Sequence, residues 1–343
     1  YIGQDPSSTT STAEYNVSVG ITALDAVTTG DGNTAVGFNA LTANTSGEGN
    51  VAIGYNTLAA NTTASQNLAM GYNALAIQTT GGEFNTAVGS YTLDNNTIGD
   101  RNVALGYVAL TANSEGSKNT GIGTSSSKSN TTGSQNTSIG NSSLYSNTSA
   151  SYNTAIGGRA LYNANRTDDE DGYNTALGYN AGNTGTNDIT TGNKNTLLGA
   201  STAASAAAGT NQSVIGYGAS GIANNSVTIG NSDVTAWYPG ADNTADLGSS
   251  SVEFKDLYID GTANLDAVDI DGGAIDGSAI GVNSASTGAF TTITASTSLD
   301  VTGSTGIILE NDETITNSTD TQINMSSTTL VVGNGSNDPT IKS

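Results

Sequence analysis

The aliphatic and polar positions of this chain recur in a short fixed order: Asn, a variable residue, a small residue, an aliphatic residue and Gly. Asn33–Gly37 and Asn50–Gly54 are clear copies, and successive copies are mostly 17 residues apart. A short, regular period predicts a solenoid, in which each repeat is one coil stacked on the next. The repeat glycines are Gly20, Gly37, Gly54, Gly71, Gly89, Gly106, Gly123, Gly140, Gly157, Gly178, Gly199, Gly216 and Gly230.

Within each copy we number Asn as position 1 and Gly as position 5. Positions 2 to 4 read as a short strand, in which positions 2 and 4 share one face and position 3 points the other way. Position 4 is aliphatic from Val36 to Ile229, so we expect it to form the buried column. Position 3 is mostly small, as in Ala35 and Ala52, and we expect this face to lie against a second strand layer or another chain.

The rest of each coil predicts a turn, a second short strand and a loop. Glycine at position 5 allows a sharp turn with positive φ. Asn at position 1 is expected to form a ladder of stacked amides that bond to the coils on either side. The second strand is expected to end in a leucine that packs beneath position 4, and these leucines are Leu41, Leu58, Leu75, Leu93, Leu110, Leu144 and Leu161.

The organisation changes where the period stops. Residues 1–14 are an N-terminal extension, and residues 15–230 form the repeat β-roll of thirteen coils. Residues 231–262 hold the single Trp and predict a compact junction. Residues 263–343 contain alternating runs of four or five residues, which are too short for a stable sheet in one chain. We therefore expect three chains to wrap into an intertwined β-shaft there.

The repeats resemble a known family. Asn33–Leu41 and Asn153–Leu161 are similar to the head repeats of trimeric autotransporter adhesins. That resemblance implies a left-handed parallel β-roll with three chains side by side. Most coils here are longer than the commonest period in that family.

The residues after the repeats resemble a different group. Leu247–Tyr258, Gly272–Gly281 and Ser286–Thr292 are similar to segments of bacteriophage tail fibres. Autotransporter heads usually lead into helical coiled-coil stalks, and this sequence has no heptads. The combination favours a phage tail fibre that contains adhesin-like head repeats.

The expected fold is therefore all-β, a parallel β-roll or β-solenoid of about 17-residue coils followed by a trimeric intertwined β-shaft. The expected function is a structural and adhesive fibre of a phage-like virion, located extracellularly on the virion tail. It would act as a homotrimer, with other virion proteins and a host-surface glycan or protein receptor as partners. The alternative is a bacterial cell-surface adhesin of the trimeric autotransporter type.

Composition narrows the function classes further. The formal charge is −22, from 30 acidic and 8 basic residues, which opposes binding to nucleic acid or to an anionic membrane. The chain has no Cys and no His, so thiolate chemistry and the commonest general base are absent. No apolar stretch is long enough to insert into a membrane. The chain opens at Tyr1, which indicates a piece of a longer protein.

Carboxylates are the main candidates for chemistry. Asp168, Asp169 and Asp171 lie in one acidic cluster and are candidate Ca²⁺ ligands, although a solvated acidic loop is the interpretation we favour. A second acidic run lies between Asp266 and Asp276. Paired carboxylates also occur in glycosidases, but the sequence offers no pocket framework, so we expect neither an enzyme nor a cofactor.

Three repeated side-chain types invite functional interpretations. Aromatics recur at position 6, and Tyr55, Tyr72, Tyr107 and Tyr179 are candidate glycan contacts, although we favour a packing ladder. A Thr column at position 2 suggests ice binding, but we expect that column to be buried. Several Asn-X-Ser/Thr triplets are possible glycosylation acceptors, of which examples are Asn44, Asn61 and Asn147.

Overall fold

A computed structural model describes residues 12–166 and 171–238, together with 240, 247, 249, 251–252, 254–256 and 258–259. Thirteen strands form one parallel sheet in chain order, so the predicted parallel β-solenoid is confirmed. The predicted shaft, residues 263–343, lies outside the described residues. The strands are β1 Val17–Val19, β2 Thr34–Val36, β3 Val51–Ile53, β4 Leu68–Met70, β5 Thr86–Val88, β6 Val103–Leu105, β7 Thr120–Ile122, β8 Thr137–Ile139, β9 Thr154–Ile156, β10 Thr175–Leu177, β11 Thr196–Leu198, β12 Gln212–Ile215 and β13 Ser226–Ile229.

Equivalent positions of the repeat lie directly above one another. Thr34 pairs with Val51, Ala35 with Ala52, and this register continues through the sheet. The glycine that ends each strand fits this close stacking. Gly54 has a φ of 135°, and a Cβ placed on it would lie 2.5 Å from the carbonyl oxygen of Gly71. The repeat glycine is therefore required both by the turn and by the neighbouring coil.

The strands face the opposite way from the one the sequence predicts. Position 3 is the buried position, since Ala35 and Ala52 are fully buried inside the coil. Position 4 points outwards, and Leu105 and Leu198 keep 45% and 42% of their surface exposed. The prediction of a buried position-4 column was therefore wrong, and so was the outward small-residue face.

The width of the coil explains this reversal. The interior of one coil is filled by two small residues and one leucine, as in Ala35, Ala40 and Leu41, all of which are fully buried. The leucine enters from the wall opposite the sheet and takes the space that a position-4 side chain would need. A Cβ on Gly121, at position 3, would lie only 3.0 Å from Cγ of Leu110.

The predicted second strand is also wrong, because that part of the coil is a series of turns. Leu41 and Leu58 have φ values of 52° and 48°, in the left-handed region that a strand excludes. Neighbouring coils still hydrogen bond there, since the Leu41 N–H donates to the carbonyl of Thr57 at 3.0 Å. The leucines themselves are buried against the position-3 side of the coil rather than beneath position 4.

The position-1 ladder is confirmed. Asn33 and Asn50 are fully buried, and the backbone N–H of Asn50 donates to Oδ1 of Asn33 at 2.9 Å. The same bond recurs in each coil, and it ends where the backbone N–H of Gln212 donates to Oδ1 of Asn195 at 3.1 Å. Each Asn thus supplies an acceptor to the strand start of the next coil, which fixes the register of the sheet.

A second Asn ladder runs through the loops, and the sequence analysis missed it. Nδ2 of Asn113 donates to Oδ1 of Asn96 at 2.9 Å, and Nδ2 of Asn130 donates to Oδ1 of Asn113 at 2.8 Å. The carbonyl of Gly116 joins the two ladders, because it accepts from Asn113 and from Asn102, each at 2.9 Å. This second ladder links the loops of successive coils, as the first ladder links the strands.

The apolar core is interrupted at one coil. One cluster of buried apolar residues ends at Leu110, and the next begins at Leu144. Between them Ser127 takes the place of the buried leucine, and it donates to Oγ of Ser138 at 2.7 Å. Oγ of Ser126 lies 2.6 Å from the same atom, so these buried hydroxyls satisfy one another.

The left-handed positions predict a stabilising substitution. Val108 and Asn56 occupy equivalent positions, with φ of 51° and 52°, but Asn tolerates this region and a β-branched residue does not. Val108→Asn should therefore raise the free energy of unfolding by about 1 kcal/mol, and Asn56→Val should lower it by a similar amount. Thermal melting of both variants checks this; equal melting temperatures would contradict it.

The loop ladder predicts a destabilising substitution. Asn113→Ala removes the partner of the buried Oδ1 of Asn96, which should cost about 2–3 kcal/mol of the free energy of unfolding. The control is Glu115→Ala, which changes an exposed residue of the same loop. Denaturant unfolding measures both, and a loss no larger than that of the control would show that the ladder contributes nothing.

Candidate binding surface

The outward face of the sheet is an uncharged, largely apolar surface, which we call the sheet face and define as positions 2 and 4 of β1 to β13. Its position-4 residues are aliphatic in every strand, and its position-2 residues are Thr, Val, Leu or Ser. None of these side chains is charged, although the chain carries 38 charged residues, the sum of 30 acidic and 8 basic ones. A large uncharged surface on a strongly acidic chain is a candidate contact region.

The Thr column lies on this sheet face, so the expectation that it is buried was wrong. Thr137 and Thr154 are half-buried, and Thr175 and Thr196 are exposed. The burial argument against ice binding therefore no longer holds. However, Val51 and Val103 interrupt the column, and the parallel column of long aliphatic side chains offers no hydroxyls. The composition favours contact with apolar protein surface over contact with ordered water.

Position-6 aromatics form a stack along one edge of the sheet. The ring centroids of Phe38 and Tyr55 are 5.2 Å apart, and those of Tyr55 and Tyr72 are 5.0 Å apart with planes only 4° from parallel. Tyr91 extends the stack at 5.3 Å from Tyr72, and Tyr107 meets Tyr91 edge-on at 6.3 Å. The predicted packing ladder is confirmed for these coils, with Tyr91 as an unforeseen member.

This stacking separates the four candidate glycan contacts. Both faces of Tyr55 are covered by neighbouring rings, so a sugar can reach only its edge. Tyr72 lies between Tyr55 and the tilted Tyr91. Tyr107 and Tyr179 are more open, with 56% and 60% of their surface exposed. Only the latter two keep ring surface available to a ligand.

A second aromatic group lies on the wall opposite the sheet, and the sequence analysis missed it. Tyr145 and Tyr162 stack at 4.8 Å, with planes 10° apart. Nζ of Lys128 lies 5.5 Å from the Tyr145 ring, and Cζ of Arg159 lies 4.8 Å from the Tyr162 ring. The 17-residue spacing of residues 128, 145 and 162 is the signal that could have found this group. Cation–π contacts stabilise it from both ends.

The acidic candidates are only partly described. Asp168, Asp169 and the run from Asp266 to Asp276 lie outside the described residues. Oδ2 of Asp171 accepts a hydrogen bond from the Tyr173 hydroxyl at 3.0 Å, and this bond raises the pKa of Tyr173. Among the described residues, no group of three or more His, Cys, Asp or Glu can hold a metal ion. The Ca²⁺ site stays a prediction.

The three glycosylation candidates named above are inaccessible in this fold. Asn44, Asn61 and Asn147 are fully buried members of the loop ladder. Nδ2 of Asn61 donates to Oδ1 of Asn44 at 2.8 Å, and Nδ2 of Asn147 donates to Oδ1 of Asn130 at 2.8 Å. These three amides therefore act as structural groups, because a glycan on any of them would require the ladder to open.

The segment that follows the sheet is described only in part. Trp237 and Tyr238 are exposed, as are Phe254 and Tyr258. The predicted compact junction, residues 231–262, stays a prediction. In the described part of the chain, no helix is both long and apolar enough to cross a membrane.

Comparisons of the chain with protein-family models, with curated proteins and with solved structures give no significant match. The resemblance to adhesin heads and tail fibres therefore rests on the residues quoted above.

Proposed function

We propose that this chain forms an elongated homotrimeric fibre that attaches a phage-like virion to its host. The observation that carries the proposal is the sheet face, which runs without a charge along all thirteen strands. The resemblance of the repeats to adhesin heads and of the later segments to tail fibres supports the same function. A bacterial surface adhesin is the second candidate, favoured by the repeats alone.

The dimensions of the sheet face suit assembly of three chains. Thirteen strands at ~4.8 Å spacing give a length of roughly 60 Å, and strands of three residues give a width of about 10 Å. Three such faces meeting at one axis would bury about 600 Å² on each chain, which is the lower end of the range for a specific complex. The exposed aliphatics, such as Leu105 and Leu198, would then leave water.

Assembly through the sheet face places the chain–chain contact on different residues from those that the sequence predicts. The sequence analysis assigned the chain–chain contact to the small residues of position 3, which are buried within each coil. In the proposed trimer, the side chains of positions 2 and 4 form the contact between chains. The aliphatic side chains of position 4 are larger than alanine, so they bury more apolar surface on association than an alanine face would.

A charge on the sheet face should disrupt the assembly. Ile139→Asp puts a carboxylate at the middle of the proposed interface, and burying it without a partner is costly. Light scattering should give three times 34.1 kDa for the natural chain and a smaller mass for the variant. The control is Asn141→Asp, which adds the same charge two residues away, outside the sheet face. A monomeric natural chain would overturn the trimer. In that case the sheet face would be open to water, and thermal hysteresis of the chain in solution would test ice binding.

The adhesive function has its own experiment. Fluorescently labelled trimer should attach to whole cells of a bacterial host, and an excess of unlabelled trimer should block that attachment. The same trimer added before infection should reduce plaque formation if the chain belongs to a virion. Attachment without any effect on infection would favour the bacterial adhesin.

A further inference from the structure

Two tyrosines near the end of the sheet flank a gap in the position-6 column. Tyr179, Ala200 and Tyr217 occupy position 6 in three successive coils. The Ser201 N–H donates to the carbonyl of Tyr179 at 2.8 Å, and the Gly218 N–H donates to the carbonyl of Ala200 at 2.9 Å. The two tyrosines are therefore two strand spacings apart, about 9.6 Å.

In the stacked part of the position-6 column, an aromatic ring occupies every coil, whereas the gap at Ala200 has no ring. From Phe38 to Tyr72 every coil carries a ring, and each ring covers the next. At Ala200 one ring is missing, and the flanking tyrosines are open, with Tyr217 exposed by 75% against 43% for Tyr55. Tyr179 lies beside Gly158 on its other side, where a Cβ would come within 3.4 Å of its ring. Its open face is thus turned towards Ala200.

We propose that Tyr179 and Tyr217 are the walls of a slot that holds one pyranose ring of a neutral polysaccharide over Ala200. Van der Waals contact on both faces takes up about 4 Å each, and the remainder of less than ~2 Å fits the pucker of a saturated ring. Sugar C–H groups pack on aromatic faces, and the tyrosine hydroxyls can hydrogen bond to the sugar hydroxyls.

The surroundings of the slot favour an uncharged sugar. A chain with a formal charge of −22 repels anionic polysaccharides. Next to the slot, position 7 carries the polar residues Asn180 and Ser201 in the first two coils. This inference rests on the adhesive function proposed above and names the chemical class of the receptor. A single slot binds weakly, and three copies in a trimer would multiply that affinity.

Filling the slot tests the proposal. The natural chain is titrated with neutral hexasaccharides of glucose, mannose and N-acetylglucosamine, with binding measured by calorimetry and saturation-transfer NMR. Ala200→Tyr restores a continuous stack, as in Phe38 to Tyr72, and should therefore fold and lower the affinity about tenfold or more. Tyr217→Ala removes one wall and should have the same effect. Tyr145→Ala, in the separate aromatic group of Tyr145 and Tyr162, is the matched control; it opens no gap in the position-6 column and should bind like the natural chain.

Three results would overturn the proposal. They are no binding of any hexasaccharide by the natural chain, full binding by Ala200→Tyr, and an equal loss in Tyr145→Ala and Tyr217→Ala. The cell-attachment assay separates this inference from the adhesive function. If the natural chain and Ala200→Tyr attach equally well to host cells, the slot is wrong and the adhesin stands. If the natural chain does not attach, the adhesive function itself fails.

Discussion

The whole solenoid depends on asparagine amides that repeat the same hydrogen bond from one coil to the next. A coil this thin buries only about one leucine and two small side chains, so apolar burial alone cannot hold the register. The position-1 and loop ladders supply the missing specificity, since each amide bonds to its counterpart in the adjacent coil. The same bonds protect backbone carbonyls such as that of Gly116 inside a narrow interior, where an unpaired polar group would be costly.

The period, the parallel sheet, the turn glycine and the position-1 ladder could all be predicted from the sequence, because each leaves a residue type at a fixed spacing. Which side of each strand faces the interior could not be predicted. A three-residue strand has too few positions for alternation to show which side is inner, and both sides read as apolar. The deciding fact is three-dimensional: Leu41 and its equivalents enter the interior from the opposite wall, and in their coils they leave room at position 3 only for small side chains such as alanine and serine.

The left-handed turns explain the other errors. Leu58 and Val108 adopt positive φ although their residue types disfavour it, because hydrogen bonds on both sides hold their backbone in place. Local propensity therefore suggested a second strand that tertiary bonding overrides. The candidate site divides in the same way: the stacking of Tyr55 and Tyr72 followed from their spacing, whereas the opening beside Tyr179 depends on a single small residue, Ala200.

Because each coil bonds to the next through the same set of strand and ladder hydrogen bonds, the number of coils in the solenoid can change without altering the fold. Inserting or deleting one 17-residue unit would shift the rod by a single strand spacing, ~4.8 Å, while every other coil kept its contacts. The two 21-residue steps, from Gly157 to Gly178 and on to Gly199, show that extra residues can be carried without disturbing the sheet. Recombination between repeats in the gene can therefore lengthen or shorten the solenoid, and each added coil folds with the same contacts as its neighbours.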